Sequence, residues 1–279
     1  MLVSVILNTY NSPAWLEKVI WGYVLQSHRD FELIIADDGS TAETTLLLRR
    51  LETQTKLPIH HVWHADHGFR KCTILNKAIE ASSGDYLIFS DGDCIPRWDF
   101  VSQHVMLAEP RHLLSGGCVR LPMDLSRRIG VDDVLNRRAT NPRWLKAHGL
   151  RGKKCLLRLT REPLLARLMD AVTTTRATWN GCNASTWKEH ILEVNGFDER
   201  MQYGGLDREL GQRLVNAGIR PKQVRHRTVC VHLDHARPYV REDALRINLS
   251  MRRETRRKKL VWTPYGVRKG YSLPIRRAA

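Results

Sequence analysis

The sequence predicts an α/β protein with a mainly parallel central sheet flanked by helices. Apolar runs of strand length alternate with runs of helical character four times within the first 93 residues. The strand runs are continuously apolar, as expected when helices cover both faces of a sheet. Polar residues follow the strand runs at their carboxyl ends, which is where ligands bind in parallel sheets.

The individual elements are predicted in order along the chain. Helices are predicted from Ser12 as N-cap with Pro13 at the first helical position, then at 42–55 and 71–83. Residues 120–178 are predicted to be mainly helical and basic. Residues 179–236 are predicted to contain both helical and strand segments. Strands are predicted at 2–10, 31–40, 59–65, 85–93 and 223–233.

Composition indicates a globular cytosolic protein. The chain has 279 residues and 42% hydrophobic content, and its apolar runs fall short of the roughly 18 to 20 residues that a membrane span needs. The apolar start, MLVSVILNTYNSP, has no basic n-region, so we expect a first strand and not a signal peptide. Six scattered cysteines without a CxxC pair predict reduced thiols in the cytoplasm, not a disulfide framework or a zinc site.

The net charge of +16 is concentrated in two segments. Residues 120–178 carry 14 Lys and Arg against 5 Asp and Glu, and residues 237–279 carry 13 against 3. Residues 1–119 are slightly acidic. Such patches predict an anionic partner: nucleic acid, an anionic membrane surface or a phosphorylated acceptor. No nucleic-acid fold signature accompanies them, so we expect no nucleic acid partner.

Two carboxylates, Asp91 and Asp93, flank Gly92 directly after the fourth predicted strand. Oxygen ligands at this spacing suit a hard cation such as Mg²⁺ or Mn²⁺ shared with a diphosphate. The alternative is a solvated turn, because Asp-Gly is a common turn pair. The chain has neither a G-x-G-x-x-G fingerprint nor a G-x-x-x-x-G-K-[ST] loop, which disfavours dinucleotide-binding and phosphate-loop readings.

An ordered set of motifs resembles family 2 of the GT-A glycosyltransferases, over roughly residues 2–120 and 179–236. The motifs are NTYN (8–11), DDGS (37–40), DHGFRKCTILNKAIEASSGDYLIFSDGD (66–93), NGFDE (195–199) and YGGLDREL (203–210). The resemblance implies the GT-A fold, an α-configured nucleotide-sugar donor and a divalent metal, Mn²⁺ or Mg²⁺, held by Asp91 and Asp93, with Asp93 the more direct ligand. It also implies that the donor is bound by Thr9, Tyr10, Asn11, Asp38, Arg70, Asn76 and Asp91.

The segment YGGLDREL carries the expected catalytic base. Relatives commonly have a Glu-Asp pair here, whereas this chain has Leu206 followed by Asp207. The resemblance therefore implies that Asp207 is the general base, and the missing Glu puts acceptor anchoring in doubt. The alternative from the residues alone is that Asp207 caps the following helix.

Two further segments supply candidate ligands. His232 and His235 lie near the end of a predicted strand, and the resemblance implies that His232 is a third metal ligand, with His235 in reserve. In the segment WNGCNASTWK, Trp179 is predicted to stack on the sugar and Asn183 to bond its hydroxyls, as in related galactosyl- and hexosaminyl-transferases. The alternatives are a structural histidine and a tryptophan buried in a strand.

Together these features predict four segments and one activity. The segments are 1–119 (nucleotide-sugar binding), 120–178 (basic insertion), 179–236 (acceptor binding and catalysis) and 237–279 (basic extension). The activity implied by the resemblance is inverting, metal-dependent transfer, forming a β-linkage, from a UDP-hexose or UDP-N-acetylhexosamine. The expected acceptor is an anionic glycan or lipid-linked acceptor in surface polysaccharide or lipopolysaccharide synthesis. The basic tail predicts peripheral attachment to the inner membrane face, the alternative being a merely solvated face. Rival functions are a sugar-nucleotide pyrophosphorylase and a non-enzymatic polyanion-binding protein.

Overall fold

The protein is built around a seven-stranded sheet with the order β3-β2-β1-β4-β8-β6-β9, as seen in a computed structural model that describes residues 1–269. Strands β1 to β4 are mutually parallel, and β8 runs antiparallel to both of its neighbours. The predicted α/β class with a mainly parallel sheet is confirmed. Residues 270–279, which include Arg276 and Arg277 of the predicted basic extension, lie outside the described residues.

The strands and helices have the following bounds. The strands are β1 (Val3–Thr9), β2 (Phe31–Asp37), β3 (Ile59–Trp63), β4 (Tyr86–Asp91), β5 (Cys94–Pro96), β6 (His112–Ser115), β7 (Gly117–Arg120), β8 (Asn183–Trp187), β9 (Arg220–Gln223) and β10 (Val229–His232). The helices are α1 (Pro13–Val24), α2 (Ala42–Thr55), α3 (Lys71–Ala81), α4 (Phe100–Leu107), α5 (Met123–Arg128), α6 (Val131–Leu135), α7 (Pro142–Ala147), α8 (Lys153–Arg158), α9 (Pro163–Val172), α10 (Lys188–Glu193), α11 (Leu206–Asn216) and α12 (Glu242–Arg257).

Both faces of the central sheet are buried, which explains the continuous apolar strands. Along β1, Val5 and Leu7 pack into a core with α1 and α2, while Ile6 packs on the opposite side with α3 and α11. Successive residues of a strand point to opposite faces, so a strand with helices on both sides needs apolar residues at every position.

The predicted strand over 223–233 is wrong as a single element. β9 ends at Gln223 and pairs with β6 in the large sheet, whereas β10 lies between β5 and β7 in a separate three-stranded sheet. Between them the chain turns at 224–228, where His226 and Arg227 bind the carboxylate of Asp170 on α9. These polar contacts draw the backbone out of the first sheet before it enters the second.

The basic insertion is helical, as predicted, and contributes the five short helices α5 to α9. Its inner residues join the core beneath α1, through Leu125, Ile129, Leu145 and Leu159. Among residues 1–269, no helix combines the length and apolar character required to cross a bilayer.

The predicted segments share one sheet. β8, from the second half of the chain, pairs along β4, from the first half, over Tyr86–Ser90. The start of the C-terminal extension forms α12, which packs on α11. The four predicted segments are therefore not separated into independent units by these contacts, and their functional labels stay predictions.

Candidate active site

The carboxyl ends of β2, β1 and β4 lie side by side and bring the predicted strand-end residues to one edge of the sheet. Asn8 is the register partner of Asp91, and Thr9 is the partner of Asp37. Backbone bonds extend this alignment past the strands, since Asp38 N–H donates to Thr9 O over 3.0 Å. The edge presents Thr9, Tyr10, Asp38 and Asp91 together, as the sequence predicted.

Asp38 is buried and firmly held. Its Oδ1 lies 2.8 Å from His64 Nε2, and its Oδ2 accepts the Arg70 backbone N–H over 2.9 Å. Burial raises the pKa of Asp38, and the bond to His64 opposes that rise. The buried Thr9 hydroxyl beside it has no hydrogen-bond partner within residues 1–269, so it is free to bond a ligand.

The rim of the same edge is formed by Tyr10, Asn11 and Arg70. Tyr10 is 45% exposed and donates its hydroxyl to Asp66 over 2.8 Å. Asn11 has a left-handed φ of 43° and accepts the Thr41 N–H through its side chain. The Arg70 guanidinium donates to the Ala65 carbonyl. These contacts hold an open aromatic face beside the buried Asp38.

Ser12 stands at the N-cap of α1, but it does not use its side chain as a helix cap. Its hydroxyl donates to the Tyr10 carbonyl instead, over 3.1 Å. The predicted position of Ser12 is right, and its hydroxyl fixes the turn that carries Tyr10.

Lys71 is the site residue that sequence reasoning missed. Its ammonium lies 2.7 Å from Asp91 Oδ1, and its side chain is only 16% exposed. Burial alone would lower the pKa of Lys71, but the carboxylates of Asp91 and Asp207 raise it above its usual value. The available signal was a basic residue at the start of the helix that leads into the strand bearing Asp91.

Asp93 forms a separate cluster with both candidate histidines. Its Oδ2 lies 3.0 Å from His235 Nε2, and its Oδ1 lies 3.7 Å from His232 Nε2. Burial would raise the pKa of Asp93, but the bond to His235 and the charge of His232 lower it overall. β10 positions His232 opposite Cys94 in the small sheet, and the loop after β10 carries His235.

These side chains fit a divalent cation. The ligand atoms of Asp93, His232 and His235 all lie within 4.8 Å of one another, and so do those of Asp91, Asp93 and Cys94. Carboxylate oxygens with imidazole nitrogens suit Mn²⁺, and the carboxylates alone suit Mg²⁺. Because Asp91 is paired with Lys71, the geometry favours Asp93 and the two histidines as the primary ligands.

Asp207 lies in the first turn of α11, two residues after Gly205. Gly204 and Gly205 have φ values of 104° and 89°. One carboxylate oxygen, Oδ1, is buried without a hydrogen-bond partner among the described residues. Burial raises the pKa of Asp207 to about 6, and the nearby Lys71 ammonium limits the rise. A carboxylate with a raised pKa and a free oxygen is suited to accept a proton near neutral pH.

The glycine at 181 makes room for that carboxylate. A Cβ on Gly181 would lie 2.3 Å from Asp207 Oδ1, which is closer than non-bonded carbon and oxygen atoms can approach. Side-chain capping of α11 by Asp207 is not seen, because the N-cap is Gly205 and makes no side-chain bond.

Three predicted donor ligands are wrong because their side chains are used inside the fold. Trp179 is fully buried and packs edge-on against Phe89, so it has no face open to a sugar. Asn183 is fully buried, donates to the Gly117 and Thr228 carbonyls and lies 3.0 Å from His104.

The third is Asn76 on α3, which is 2% exposed. Its amide donates to Phe197 O and Glu199 and accepts the Phe197 N–H. Asn76 therefore joins α3 to the NGFDE segment, which precedes the loop of Gly204 and Gly205. Its contribution to the site is structural.

Leu206, at the position where relatives commonly have Glu, is 4% exposed and belongs to the core beneath α11. The side chain points away from the site edge that carries Asp207. This position therefore supplies no carboxylate for an acceptor.

Three thiols behind Asp93 come together although they are distant in sequence. The Sγ atoms of Cys94, Cys182 and Cys230 lie within 4.8 Å of one another, and all six cysteines are free. The Cys94 thiol lies 3.3 Å from Asp93 Oδ1, and burial holds its pKa well above the usual value. The three uncharged thiols pack next to the Asp93 cluster. Free thiols agree with the predicted reduced state.

Comparison with known proteins identifies the family. The family model described as glycosyl transferase family 2 matches residues 4–155, which is more than half of the chain. The chain belongs to glycosyl transferase family 2. A second model, described as the N-terminal domain of galactosyltransferase, matches residues 172–236 of this family 2 protein.

Individual relatives and structures agree with that assignment. Hyaluronan synthase of Pasteurella multocida is 29% identical over 230 residues, which is 77% of this chain and 23% of the synthase. A mannosyltransferase from Pyrobaculum calidifontis, solved with GDP-Man and Mn²⁺, has a TM-score of 0.55 at 22% identity, covering 85% of this chain and 58% of that one. S. aureus TarS 1-349, solved with UDP-GlcNAc, has a TM-score of 0.57 at 13% identity, covering 86% and 60%.

The chain thus spans about three fifths of those solved structures and about a quarter of the synthase. The structural likeness establishes the GT-A fold for the family 2 protein, as the sequence predicted.

Proposed function

We propose that this family 2 protein transfers a sugar, with inversion, from a nucleotide-diphosphate sugar to an acceptor hydroxyl, with Asp207 as general base. The observation that carries the proposal is the buried, unpartnered Oδ1 of Asp207 at the edge that also bears Asp91 and Asp93. A single base facing the acceptor removes the hydroxyl proton as the oxygen attacks the anomeric carbon from the side opposite the diphosphate. The product linkage from an α-configured donor would be β.

Asp93, His232 and His235, with Asp91 within reach, would hold Mn²⁺ or Mg²⁺. When bound, the ion supplies positive charge that stabilises the leaving diphosphate. Lys71 would also help to bind the diphosphate of the donor. Asp91 fixes its ammonium at a sheet edge where the other charged side chains are mainly carboxylates. The turn of Gly204 and Gly205, whose positive φ values favour glycine, would hold the Asp207 backbone where the acceptor approaches.

For the donor we propose a UDP-sugar, a hexose or N-acetylhexosamine. Thr9, Tyr10, Asn11, Asp38 and Arg70 form a corner with an exposed aromatic ring and a buried carboxylate, which suits a base and its ribose. Support for the donor class comes from the ligands of the two proteins of the same fold, GDP-Man and UDP-GlcNAc, which are both nucleotide-diphosphate sugars.

For the acceptor we propose an anionic glycan or lipid-linked glycan of a surface polysaccharide or lipopolysaccharide, reached from the cytoplasmic side of the membrane. Hyaluronan synthase is itself named as a polysaccharide-forming enzyme, which supports this direction. In the basic extension, Arg253, Arg256 and Arg257 are exposed, and they remain our candidates for contact with an anionic surface. Arg252 is partly buried against Gly205, so its side chain supports the catalytic loop instead.

The test is release of nucleoside diphosphate from a panel of UDP- and GDP-sugars, with and without Mn²⁺. Asp207→Asn should lower turnover by roughly 10²-fold or more while nucleotide binding is retained, because the amide keeps the shape and loses the proton acceptor. Asp85→Asn, at an exposed position, is the matched control. Normal turnover by Asp207→Asn, or full activity in EDTA, would disprove the base or the metal part of the proposal.

The two rival functions lose support. Membership of a glycosyl transferase family disfavours a pyrophosphorylase, which transfers a nucleotidyl group and not a sugar. A non-enzymatic polyanion-binding protein would not need the converging carboxylates of Asp91, Asp93 and Asp207 at one sheet edge.

A further inference from the structure

Helix α9 in the basic insertion presents an apolar face to solvent. The exposed fractions are 83% for Leu164, 59% for Leu168, 67% for Val172 and 39% for Leu165. At about 100° per residue these four side chains fall within an arc of about 100° on the helix. A continuous apolar stripe on a surface helix differs from scattered single leucines, which are common on protein surfaces.

The opposite face of α9 fixes the helix to the protein. Ala166 and Asp170 are its buried residues. The Asp170 carboxylate accepts the His226 N–H over 2.8 Å and Arg227 Nε over 2.7 Å, and it lies 3.0 Å from His226 Nδ1. The helix is therefore attached by a polar anchor on its inner side, which leaves the leucines pointing outward.

The segment of the chain that contains α9 is strongly basic. Residues 151–178 contain seven Lys and Arg but only two acidic residues, Glu162 and Asp170. Asp170 is buried and already paired, so only Glu162 offsets the exposed positive charge. The exposed basic residues of this segment are Arg151, Lys153, Lys154, Arg161, Arg167 and Arg176.

We propose that the outer face of α9 docks on an anionic lipid bilayer, with its leucines in the boundary between headgroups and acyl chains. The flanking Lys and Arg side chains would then contact lipid phosphates. An apolar stripe bordered by basic residues is the pattern of helices that lie in a membrane interface, and each basic residue near an anionic leaflet adds to attraction. α9 contains none of the residues assigned to the site edge, and it does not belong to the C-terminal extension.

A second copy of the chain fits this face poorly. Two α9 faces brought together would bring Arg167 and the flanking Arg161 and Arg176 of one copy towards the same three residues of the other, which is electrostatically unfavourable. A helix of ten residues offers a strip only about 15 Å long and roughly 10 Å wide. That strip is far below the roughly 800 Å² that each partner of a stable dimer buries.

A soluble polyanion also fits poorly. Phosphates or carboxylates on a soluble chain would satisfy the arginines but would leave Leu164, Leu168 and Val172 in water. A bilayer interface satisfies both features at once, since its headgroups are anionic and its acyl chains are apolar.

Vesicle binding by the full chain tests the proposal. Binding should occur with vesicles of phosphatidylcholine mixed with phosphatidylglycerol, be weak with phosphatidylcholine alone, and fall as salt rises because the charge attraction is screened. The triple variant Leu164→Gln, Leu168→Gln, Val172→Gln should bind the anionic vesicles at least about tenfold more weakly. Leu46→Gln, at a 64% exposed position on α2, is the matched control and should bind normally.

Further variants separate the alternatives. Arg161→Gln with Arg167→Gln and Arg176→Gln should also lose binding, and more than Arg253→Gln with Arg256→Gln and Arg257→Gln in the extension. Unchanged binding by the leucine variant, loss only in the extension variant, or a concentration-dependent dimer that the leucine variant abolishes would each overturn the proposal. Vesicle binding requires no turnover, so its failure is distinguishable from failure of the proposed sugar transfer.

Discussion

At the scale of single residues, the catalytic proposal depends on the protonation of Asp207. Its pKa of about 6 means that the carboxylate is ionised and able to accept a proton above pH 6, and protonated below it. We expect kcat/KM measured against pH to fall about tenfold per unit below pH 6.

Lys71 should control the pH at which kcat/KM begins to fall on the acid side of the profile, which is the acid limb. Its ammonium favours the ionised form of Asp207, so Lys71→Met should move the limb to higher pH as well as lowering the maximum rate. Lys77→Met, at an exposed position on the same helix, should leave the profile unchanged. An acid limb that stays in place in Lys71→Met would contradict the charge coupling.

Gly181 gives a sharper steric test of the same carboxylate. Gly181→Ala would place a methyl group 2.3 Å from the present position of Asp207 Oδ1, so the carboxylate must move. We expect a loss of turnover of at least about tenfold, since small displacements of a catalytic group are costly. Gly130→Ala, where the nearest atom lies 3.9 Å away, should be active, and a fully active Gly181→Ala would show that Asp207 tolerates displacement.

The residue scale also shows where sequence reasoning succeeds and fails. Asp91, Asp93 and Asp207 were predictable because each follows a recognisable strand or loop in a known motif order. The burial of Trp179 was not predictable, because it depends on close packing of α11 at Gly211. A Cβ on Gly211 would lie only 2.6 Å from the Trp179 Cβ, so a larger residue there would not fit. A motif gives the neighbours of a residue along the chain but not the helix that will cover it.

At the scale of elements, α11 is held by a buried ion pair. Arg213 is 1% exposed and donates to Glu209, to the Val194 carbonyl and to the Gly196 carbonyl. The Thr255 hydroxyl of α12 donates to Glu209 as well, over 2.9 Å. This network joins α11 to the end of α10 and to the C-terminal extension.

Removing one partner of that pair should be strongly destabilising. Arg213→Met leaves the Glu209 carboxylate buried without its cation, so urea denaturation should show a loss of about 3–5 kcal/mol in the free energy of unfolding. The double variant Glu209→Met, Arg213→Met should lose less than Arg213→Met alone. Arg208→Met on the exposed side of α11 is the control, and equal stability of Arg213→Met and Arg208→Met would contradict the network.

The elements of the first ninety residues were predictable because each strand carries a continuous apolar run and each helix lies between two of them. The region from 220 to 233 was not, since β9 and β10 have similar strand character but enter different sheets. Their separation depends on Asp170, which is distant in sequence and binds the turn between them. Local pattern identifies strand residues, whereas the choice of sheet is made by tertiary contacts.

At the scale of the whole molecule, the two family matches meet inside one sheet. The family 2 match ends at residue 155, and the strand that covers β4 lies in the second match, at 172–236. The Asn76 contacts to Phe197 and Glu199 tie the same two regions together on the other side of the sheet.

A chain truncated after residue 155 should therefore fail to fold as a soluble unit. It would keep β1 to β4 but leave the β4 edge unpaired, and an open apolar edge strand promotes association. We expect this fragment to be insoluble or aggregated on size-exclusion chromatography, and the full chain to be soluble. Recovery of a monomeric fragment with a cooperative melting transition would show that β8 is dispensable.

The antiparallel pair of β4 and β8 also has a consequence during synthesis. β4 ends at Asp91, and its partner does not begin until Asn183. At about 5–20 residues per second, the nascent chain carries an open apolar edge on the ribosome for roughly 5 to 18 seconds. During that interval we expect the growing protein to bind chaperones that recognise extended apolar segments. Slowing translation within the basic insertion should therefore lower the yield of folded protein.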